Sequence, residues 1–343
     1  MTTGVTQYSD NGISPATAAD AAVQFLMHAE NHIVLGKWGT PKPMPRNRGQ
    51  VINFRRPVPY PVTTTPLQEG IAPPPIKFRY DTISCTLKQW GSVAELTDVI
   101  QDTHTDPVLK HMTMMGGQQA GATIEQVTYG IVKAGTNVYY ANGTARTQVN
   151  TPVTLAKLRS VSRGLQTQKA GYKTSMVSSS PNYGTSALSP TYIAVVHTHL
   201  VHDIRELPYF IPVEKYANTK KVHPREFGCV EDFRFLSSAD LAPWADGGGA
   251  YGGSGTSMVT TSGTSADVYP ILVFGEEAFG IVPLKGDPAT GDANVDIIVV
   301  QPNQASIVNP LKQKGSVGWK TWFNAVILND NWLARLEVAA TAL

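Results

Sequence analysis

The chain has 343 residues, of which 42% are hydrophobic and only 16% charged, against about 25% charged in a typical globular protein. This length allows two domains, and the low charge density indicates a surface that is largely buried against partners. A formal net charge of +2 argues against a dedicated nucleic-acid-binding protein, and two cysteines, Cys85 and Cys229, exclude a disulfide framework or a zinc ribbon.

Residues 1–45 are predicted to form an arm, a segment that cannot build a hydrophobic core by itself. A short helix is predicted at 16–35, and Pro41, Pro43 and Pro45 favour an extended path after it. The first 26 residues lack the basic and apolar regions of a signal peptide, and no run of 18 apolar residues occurs. We therefore expect a soluble protein that folds in a reducing cytoplasm.

Residues 46–95 predict an extended β-hairpin. A strand-like run at 51–56 leads into a Pro- and Thr-rich stretch at 57–75, and a long strand follows at 76–90. Because an isolated hairpin is only marginally stable in water, we expect it to pack on a neighbouring subunit.

A long helix is predicted at 106–134, about 40 Å in length. Asp106 is a suitable N-cap, Pro107 suits the first helical position, and Gly135 suits the end of the helix. The glycines of this helix predict either a bend or a close backbone contact. Helical spacing gives one apolar stripe, which consists of Leu109, Met112, Gly116, Ala120, Ile124, Val127, Ile131 and Ala134.

The second half of the chain mixes helices and strands without regular alternation, which predicts an α+β fold. A helix is predicted at 154–169 and strands at 192–196, 229–235, 269–274 and 295–300. Residues 247–265 form a Gly/Ser-rich insertion that predicts a flexible surface loop. The end of the chain predicts a hairpin of 320–328 with 332–338, in which Arg335 and Glu337 would lie on a solvated face.

His197, His199 and His202 are the strongest candidates for metal ligands, and they leave a zinc-dependent hydrolase open as the alternative function. No second acidic cluster accompanies them, so we predict no metal site and no cofactor. The glycine-rich segment 247–255 lacks the Lys-Ser/Thr ending of a phosphate loop, and Cys85 lies in the middle of a predicted strand as a buried residue. No catalytic residue is predicted.

Several stretches resemble the major capsid proteins of tailed phages with the HK97-like fold, in particular the family of the N-four-type coliphage. In chain order they are GQVINFRRP (49–57), TPLQEGIAPP (65–74), KQWGSVAELTD (88–98), the helix at 106–134, HPREFGCVEDFRF (223–235), VFGEEAFGIVPLKG (273–286) and NPLKQKGSVGWK (309–320). They span most of the chain, and their succession is more specific than any single one.

The resemblance implies five segments. These are an N-terminal arm (1–45), an extended loop (46–95), a peripheral domain (96–188) with a spine helix at 106–134, an axial domain (189–300) and a C-terminal hairpin (301–343) that returns to the peripheral and axial sheet. The insertion at 247–265 departs from a compact axial domain.

The implied function is structural: copies of the chain close into an icosahedral virion shell through pentamers and hexamers. The implied partners are portal, scaffold and cement or decoration proteins, together with packaged double-stranded DNA bound non-specifically, and no membrane. Covalent cross-linking between subunits is not predicted. The candidate residues for the subunit interface lie in the hairpin and are Val51, Phe54, Arg55, Arg56, Ile76, Phe78, Tyr80 and Trp90.

Overall fold

The computed structural model describes residues 32–67, 69–103, 107–174, 190–216, 221–251, 257–285, 295–302 and 311–342. Its strands are β1 (Thr40–Pro41), β2 (Val51–Pro57), β3 (Tyr80–Thr86), β4 (Lys88–Thr97), β5 (Val138–Tyr140), β6 (Tyr192–His197), β7 (Phe210–Pro212), β8 (Glu226–Val230), β9 (Phe233–Ser238), β10 (Val268–Phe274), β11 (Phe279–Pro283), β12 (Val295–Val300), β13 (Lys314–Ile327) and β14 (Leu333–Ala339). Its α-helices are α1 (Asp98–Thr103), α2 (Val108–Val132), α3 (Leu155–Thr167) and α4 (Val201–Arg205). This mixture confirms the predicted α+β class.

A five-stranded sheet is built around β13, the longest strand described. β4 pairs antiparallel with one side of β13, and Phe323 there lies opposite Lys88. β11 and β12 follow each other along the other side, where Pro283 pairs with Phe323 and Val295 with Thr321. β1 adds to β11 in parallel. β13 is thus paired on both edges.

A seven-stranded sheet has the order β5-β14-β10-β6-β9-β8-β7. Its central strands are buried on both faces, which explains why they appear in the sequence as continuous apolar runs rather than alternating ones. In β6, Tyr192 and Ala194 contact a core under α3 and α4, whereas Ile193 and Val195 contact a second core. The second core also contains Tyr129 and Val132 of α2, so it joins the seven-stranded sheet to the long helix.

Helix α2 confirms the predicted long helix, with 25 residues and a length of about 38 Å. Pro107 lies just before its first residue, while Asp106 falls outside the described residues. The predicted apolar stripe is wrong: Ala120 is its single buried member, and most of the residues that are buried come one position later in the sequence. The face that is buried consists of Thr113, Gly117, Ala120, Gly121, Glu125, Thr128, Tyr129 and Val132.

Part of this buried face packs closely against β13. Trp319 packs on Ala120, and its indole N–H donates to Gln119 Oε1 at 3.2 Å. Small side chains at Gly117 and Gly121 lie on the same buried face. A helix that approaches a sheet closely needs small residues there, so periodicity of large apolar residues indicated the wrong face.

The predicted C-terminal hairpin is wrong. The segment Asn329–Asn331 does form a turn, in which Asn329 Oδ1 accepts from the Asn331 N–H at 3.2 Å. However, β13 belongs to the five-stranded sheet and β14 to the seven-stranded sheet. β13 is flanked by β4 and by β11 with β12, and β14 lies between β5 and β10, so neither strand pairs with the other.

The extended hairpin is formed by β2 and β3, which pair from Val51 with Thr86 to Pro57 with Tyr80. The single strand predicted at 76–90 is wrong. Residues 76–79 are not in a strand, and Leu87 separates two strands, β3 and β4. Leu87 is buried and donates its N–H to Gln50 O at 2.8 Å, which closes the hairpin at its root.

Two further predictions concern helices. Helix α3 confirms the helix predicted at 154–169, and Leu158, Val161 and Leu165 are buried as its spacing indicated. The helix predicted at 16–35 lies almost wholly outside the described residues; a short 3-10 helix, Leu35–Lys37, begins at its end. Within the described ranges, no helix has the length and apolarity needed to cross a membrane.

Candidate assembly surfaces

The hairpin divides into a packed root and an exposed distal part. At the root, Met44, Cys85 and Val282 are buried together, and Ile52 and Phe54 pack against them. The Cys85 thiol lies 3.8 Å from Ala325 O, and burial raises its pKa; the prediction that Cys85 is buried is confirmed. Beyond the root, nearly all described residues from 55 to 82 are exposed.

Four of the predicted interface residues carry large apolar side chains on the surface. Val51, Ile76, Phe78 and Tyr80 are 52%, 51%, 53% and 55% exposed. Phe78 contacts Tyr80 edge-to-face with ring centroids 4.7 Å apart, and Tyr60 continues the row at 6.3 Å from Phe78. An exposed row of aromatic residues is typical of a surface that binds another protein.

Phe54 and Trp90 serve the subunit's own fold. The Phe54 ring lies against Gly280, where an added Cβ would be 2.9 Å from the ring, and Lys42 Nζ lies 4.9 Å from the ring centroid. The Trp90 indole N–H donates to Phe323 O at 3.1 Å. These two residues are therefore part of intramolecular packing.

The paired arginines of the hairpin lie on its surface. Arg56 Nη2 is 3.3 Å from Asp81 Oδ2 across the two strands, and both side chains are about half exposed. Arg55 is exposed as well. An exposed ion pair of this kind contributes about 0–1 kcal/mol to folding, so the pair does little to stabilise the hairpin.

The arm segment that precedes β1 is held on helix α2 by Glu125. This carboxylate is fully buried and accepts backbone N–H groups from Val34 at 3.1 Å, Leu35 at 2.9 Å and Gly36 at 3.3 Å. Burial raises the pKa of Glu125 to about 7, and the three N–H donors offset only part of that effect. Glu125 thus fastens the arm to the middle of the long helix.

A cluster of charged residues joins α2 to the seven-stranded sheet. Arg146 binds Glu337 in a bidentate manner, with both N–O distances 2.8 Å, and Arg335 Nε lies 2.9 Å from Glu337 Oε1. Lys133 Nζ and the Arg146 guanidinium lie 3.9 and 3.7 Å from the Trp244 ring centroid. Arg335 and Glu337 are buried, so the predicted solvated face of the last strand is wrong.

The three histidines do not form a metal site. His197 Nδ1 accepts from the His199 N–H at 3.1 Å, His199 Nδ1 lies 2.8 Å from the Tyr269 hydroxyl, and His202 pairs with Glu206 at 3.3 Å. Burial, followed by the charge of His199, lowers the pKa of His197 to about 4. Among the residues that the structure describes, no three His, Cys, Asp or Glu side chains are placed to hold a metal ion. The geometry does not support a zinc-dependent hydrolase.

The described parts of the Gly/Ser-rich insertion, 247–251 and 257–265, are tied to the seven-stranded sheet. Gly248 donates its N–H to Ala266 O and Gly249 to Val149 O, both at 2.9 Å. The Asp267 carboxylate accepts from the Asp246 and Thr261 N–H groups at 2.8 and 3.2 Å. Gly248 is required by close approach, since an added Cβ would lie 2.3 Å from Val149 O.

Sequence reasoning missed Glu125 and the cluster around Glu337. A signal existed for the first of these, because Glu125 is the single acidic residue between 108 and 132 and lies four residues from the small Gly121. For Glu337, alternation with apolar neighbours suggested solvent. Its partner Arg146 is 191 residues away in the sequence, and no local pattern reveals such a contact.

Comparisons with known proteins agree with this architecture. The family model described as phage capsid protein matches residues 80–336, which is 257 of 343 residues. The major capsid protein of Pseudomonas phage KPP21 is 22% identical over 285 residues, covering 77% of this chain and 69% of that protein.

Solved structures show the same fold at low sequence identity. The capsid of Ralstonia phage GP4 has a TM-score of 0.62 and 10% identity, covering 88% of this chain and 87% of that one. The capsid of cyanophage Pam1 has a TM-score of 0.56 and 10% identity, covering 87% of each chain. The chain therefore belongs to the phage capsid protein family, has the HK97-like fold, and forms the head shell of a phage virion.

Proposed function

We propose that copies of this chain assemble through rings of five and six into an icosahedral shell around a double-stranded DNA genome, without a catalytic role. Portal, scaffold and cement or decoration proteins are the proposed partners, and DNA would contact the inner face non-specifically. The low charge density and the exposed apolar hairpin support large interfaces between subunits.

Within this proposal the segments have separate roles. Residues 1–45 are the arm, 46–95 the extended loop, 96–188 the peripheral domain, 189–300 the axial domain and 301–343 the returning C-terminal segment. The sheets suggest a refinement of these boundaries. β11 and β12 share the five-stranded sheet with β4 and β13, whereas β5, α3 and β14 pack with the seven-stranded sheet.

The distal hairpin is the single observation that carries the proposal. From Tyr60 to Tyr80 it presents exposed apolar side chains while the root alone is packed on its own subunit. Exposing a ridge of this kind is unfavourable unless another molecule covers it, at roughly 25 cal/mol for each Å² of apolar surface. A neighbouring subunit would provide that cover.

Replacing Phe78 by aspartate is expected to abolish shell assembly while changing the unfolding free energy of the subunit by less than about 1 kcal/mol. Phe78 is half exposed in the subunit, so the cost falls on the interface. Sedimentation measures assembly, and denaturant unfolding of the unassembled subunit measures stability.

Two comparison variants complete this test. Phe78→Leu keeps an apolar side chain and is expected to assemble. Phe54→Asp introduces a charge into the packed root and is expected to lose both stability and assembly. If Phe78→Asp lost as much unfolding free energy as Phe54→Asp together with its assembly, the assignment of the distal hairpin to an interface would be refuted.

A further inference from the structure

Asn142 is followed by Gly143, and an asparagine before a glycine is chemically labile because glycine leaves its backbone nitrogen open to approach. In deamidation, the Gly143 nitrogen bonds to Asn142 Cγ and the Cγ–Nδ2 bond breaks. The Gly143 proton leaves with the amide nitrogen as ammonia, and a succinimide ring remains. Water then opens the ring to aspartate or isoaspartate, so the product carries a negative charge in place of the amide.

The Asn142 side chain closes the loop of residues 142–151. Its Nδ2 donates to Gln148 O at 2.9 Å and to Asn150 Oδ1 at 2.8 Å. Its Oδ1 accepts from the Asn150 N–H at 3.0 Å and from the Thr151 hydroxyl at 3.1 Å. Both ends of the amide are thus engaged, so any rotation of the side chain toward its own backbone must first break these bonds.

Gly143 is required at this turn. Its φ of 68° lies in the left-handed region, and an added Cβ would lie 2.5 Å from Gln148 Oε1. The same oxygen accepts from the Thr144 N–H at 2.8 Å. Within the described part of the chain, no hydrogen bond engages the Gly143 N–H. The fold therefore requires the residue that makes Asn142 labile, leaves the attacking nitrogen available and restrains only the group that it attacks.

The closed loop carries two residues on which the stability of the subunit depends. Arg146 binds Glu337 with two N–O distances of 2.8 Å. Val149 is 0% exposed and belongs to the core under α3 and α4. After deamidation, a carboxylate oxygen would replace Asn142 Nδ2 and would face two acceptors with no proton between them. The loop could then no longer close in the same way.

We propose that Asn142 is a site of spontaneous deamidation that the closed loop restrains and that local opening of the loop releases. Water is the only co-reactant, and the loss of ammonia makes the change permanent. The rate in the folded subunit is then the rate in the unfolded chain multiplied by the open fraction of the loop. Reacted copies therefore accumulate with the age of the protein, whether or not the copies assemble into shells.

Peptide mass spectrometry of subunits kept at mildly alkaline pH measures the reaction. Asn142 is expected to deamidate more slowly in the folded subunit than in guanidinium chloride by about tenfold or more, since opening the loop breaks several hydrogen bonds. The other Asn–Gly sequence of the chain, Asn11–Gly12, lies outside the described residues and shows that the guanidinium sample reacts. Equal rates at Asn142 in the two states, or no reaction there while Asn11 reacts, would overturn the proposal.

Two variants test whether the hydrogen bonds of Asn142 restrain the reaction. Asn150→Ala removes one acceptor of the Asn142 amide, together with the bond from Asn150 Nδ2 to Ala250 O at 3.3 Å. This variant is expected to deamidate at Asn142 faster in the folded state by about threefold or more. Thr147→Ala is the matched control, because Thr147 is exposed in the same loop and takes no part in these bonds. Equal rates in the two variants would contradict the restraint.

Asn142→Asp reproduces the aspartate product directly. It is expected to lower the midpoint of thermal unfolding of the unassembled subunit by about 2 °C or more. Asn53→Asp introduces the same charge on an exposed side chain of the hairpin and is expected to leave the midpoint unchanged. Equal midpoints for the two variants would mean that the Asn142 amide does not hold the loop closed, which would overturn the restraint on which the proposal rests.

Discussion

Replacing Glu337 by glutamine is expected to lower the free energy of unfolding of the subunit by about 3–5 kcal/mol. Glu337 is 0% exposed and binds both Arg146 and Arg335, with Lys133 nearby across the Trp244 ring. The substitution keeps the shape of the side chain but removes its negative charge. The arginines would then repel each other without a carboxylate between them.

The charges in this cluster already affect one another. Burial, and then the charges of Arg146 and Arg335, lower the pKa of Lys133 to about 8. The hydrogen bond with Glu337 raises the pKa of Arg146. Without Glu337, the buried Arg335 and the partly buried Arg146 and Lys133 would remain close together without a compensating carboxylate, which is the costly situation.

Denaturant unfolding of the unassembled subunit measures this effect. Glu95→Gln is the matched control, because Glu95 faces Lys314 at 3.7 Å and both side chains are about two-thirds exposed. That variant is expected to cost less than about 1 kcal/mol. A loss in Glu337→Gln no larger than the loss in Glu95→Gln would mean that the cluster does not hold α2 to the seven-stranded sheet.

Replacing Glu125 by glutamine is expected to change how the stability of the subunit depends on pH. The folded pKa of Glu125, about 7, lies above the ordinary value of 4.5, because burial favours the protonated form. Between these values the folded state binds more protons than the unfolded state, so stability falls as pH rises from 4.5 to 7. The full contribution of this group is about 3 kcal/mol.

The comparison is between pH 5 and pH 7.5. The original chain is expected to lose about 2 kcal/mol more than Glu125→Gln over this range, since glutamine does not titrate. His32, Lys37 and Asp240 are present in both proteins, so the difference between the two curves reports the change at Glu125. Parallel pH dependence in the two proteins would show that Glu125 stays charged throughout and that its N–H donors outweigh its burial.

Local patterns predicted the elements that have a strong hydrophobic periodicity or that end at clear turn-forming residues. Helix α3 follows from leucines and valines at helical spacing, and β2 follows from the β-branched run that precedes a Pro-rich stretch. The family resemblance predicted the HK97-like fold and the capsid function, which the comparisons confirm. Composition contributed the low charge density, from which we expected a surface that is buried against partners.

Local patterns could not predict which strands pair with each other or which face of a helix is buried. The turn at Asn329–Asn331 was identified, but it connects two sheets, because both flanking strands already have neighbours that are distant in sequence. The buried face of α2 was misjudged for a related reason, since close packing favours Gly117 and Gly121 over large residues. Long-range pairing decides these outcomes, and a single sequence does not record it.

The candidate interface residues divide into some that are exposed on the hairpin and some that pack inside the subunit. The sequence indicated an exposed hairpin, and Val51, Ile76, Phe78 and Tyr80 are indeed on its surface, so they remain candidates for contact with a neighbour. Phe54 and Trp90 have the same residue types but pack inside the subunit. Aromatic residues serve both purposes, and only the fold distinguishes them.

The central claim is that this chain is a self-assembling shell subunit, and electron microscopy of the sedimenting fraction of the expressed protein tests it most directly. We predict closed shells, or rings of five and six copies. A small monomeric species that binds zinc in stoichiometric amount would contradict the capsid function and favour the hydrolase alternative.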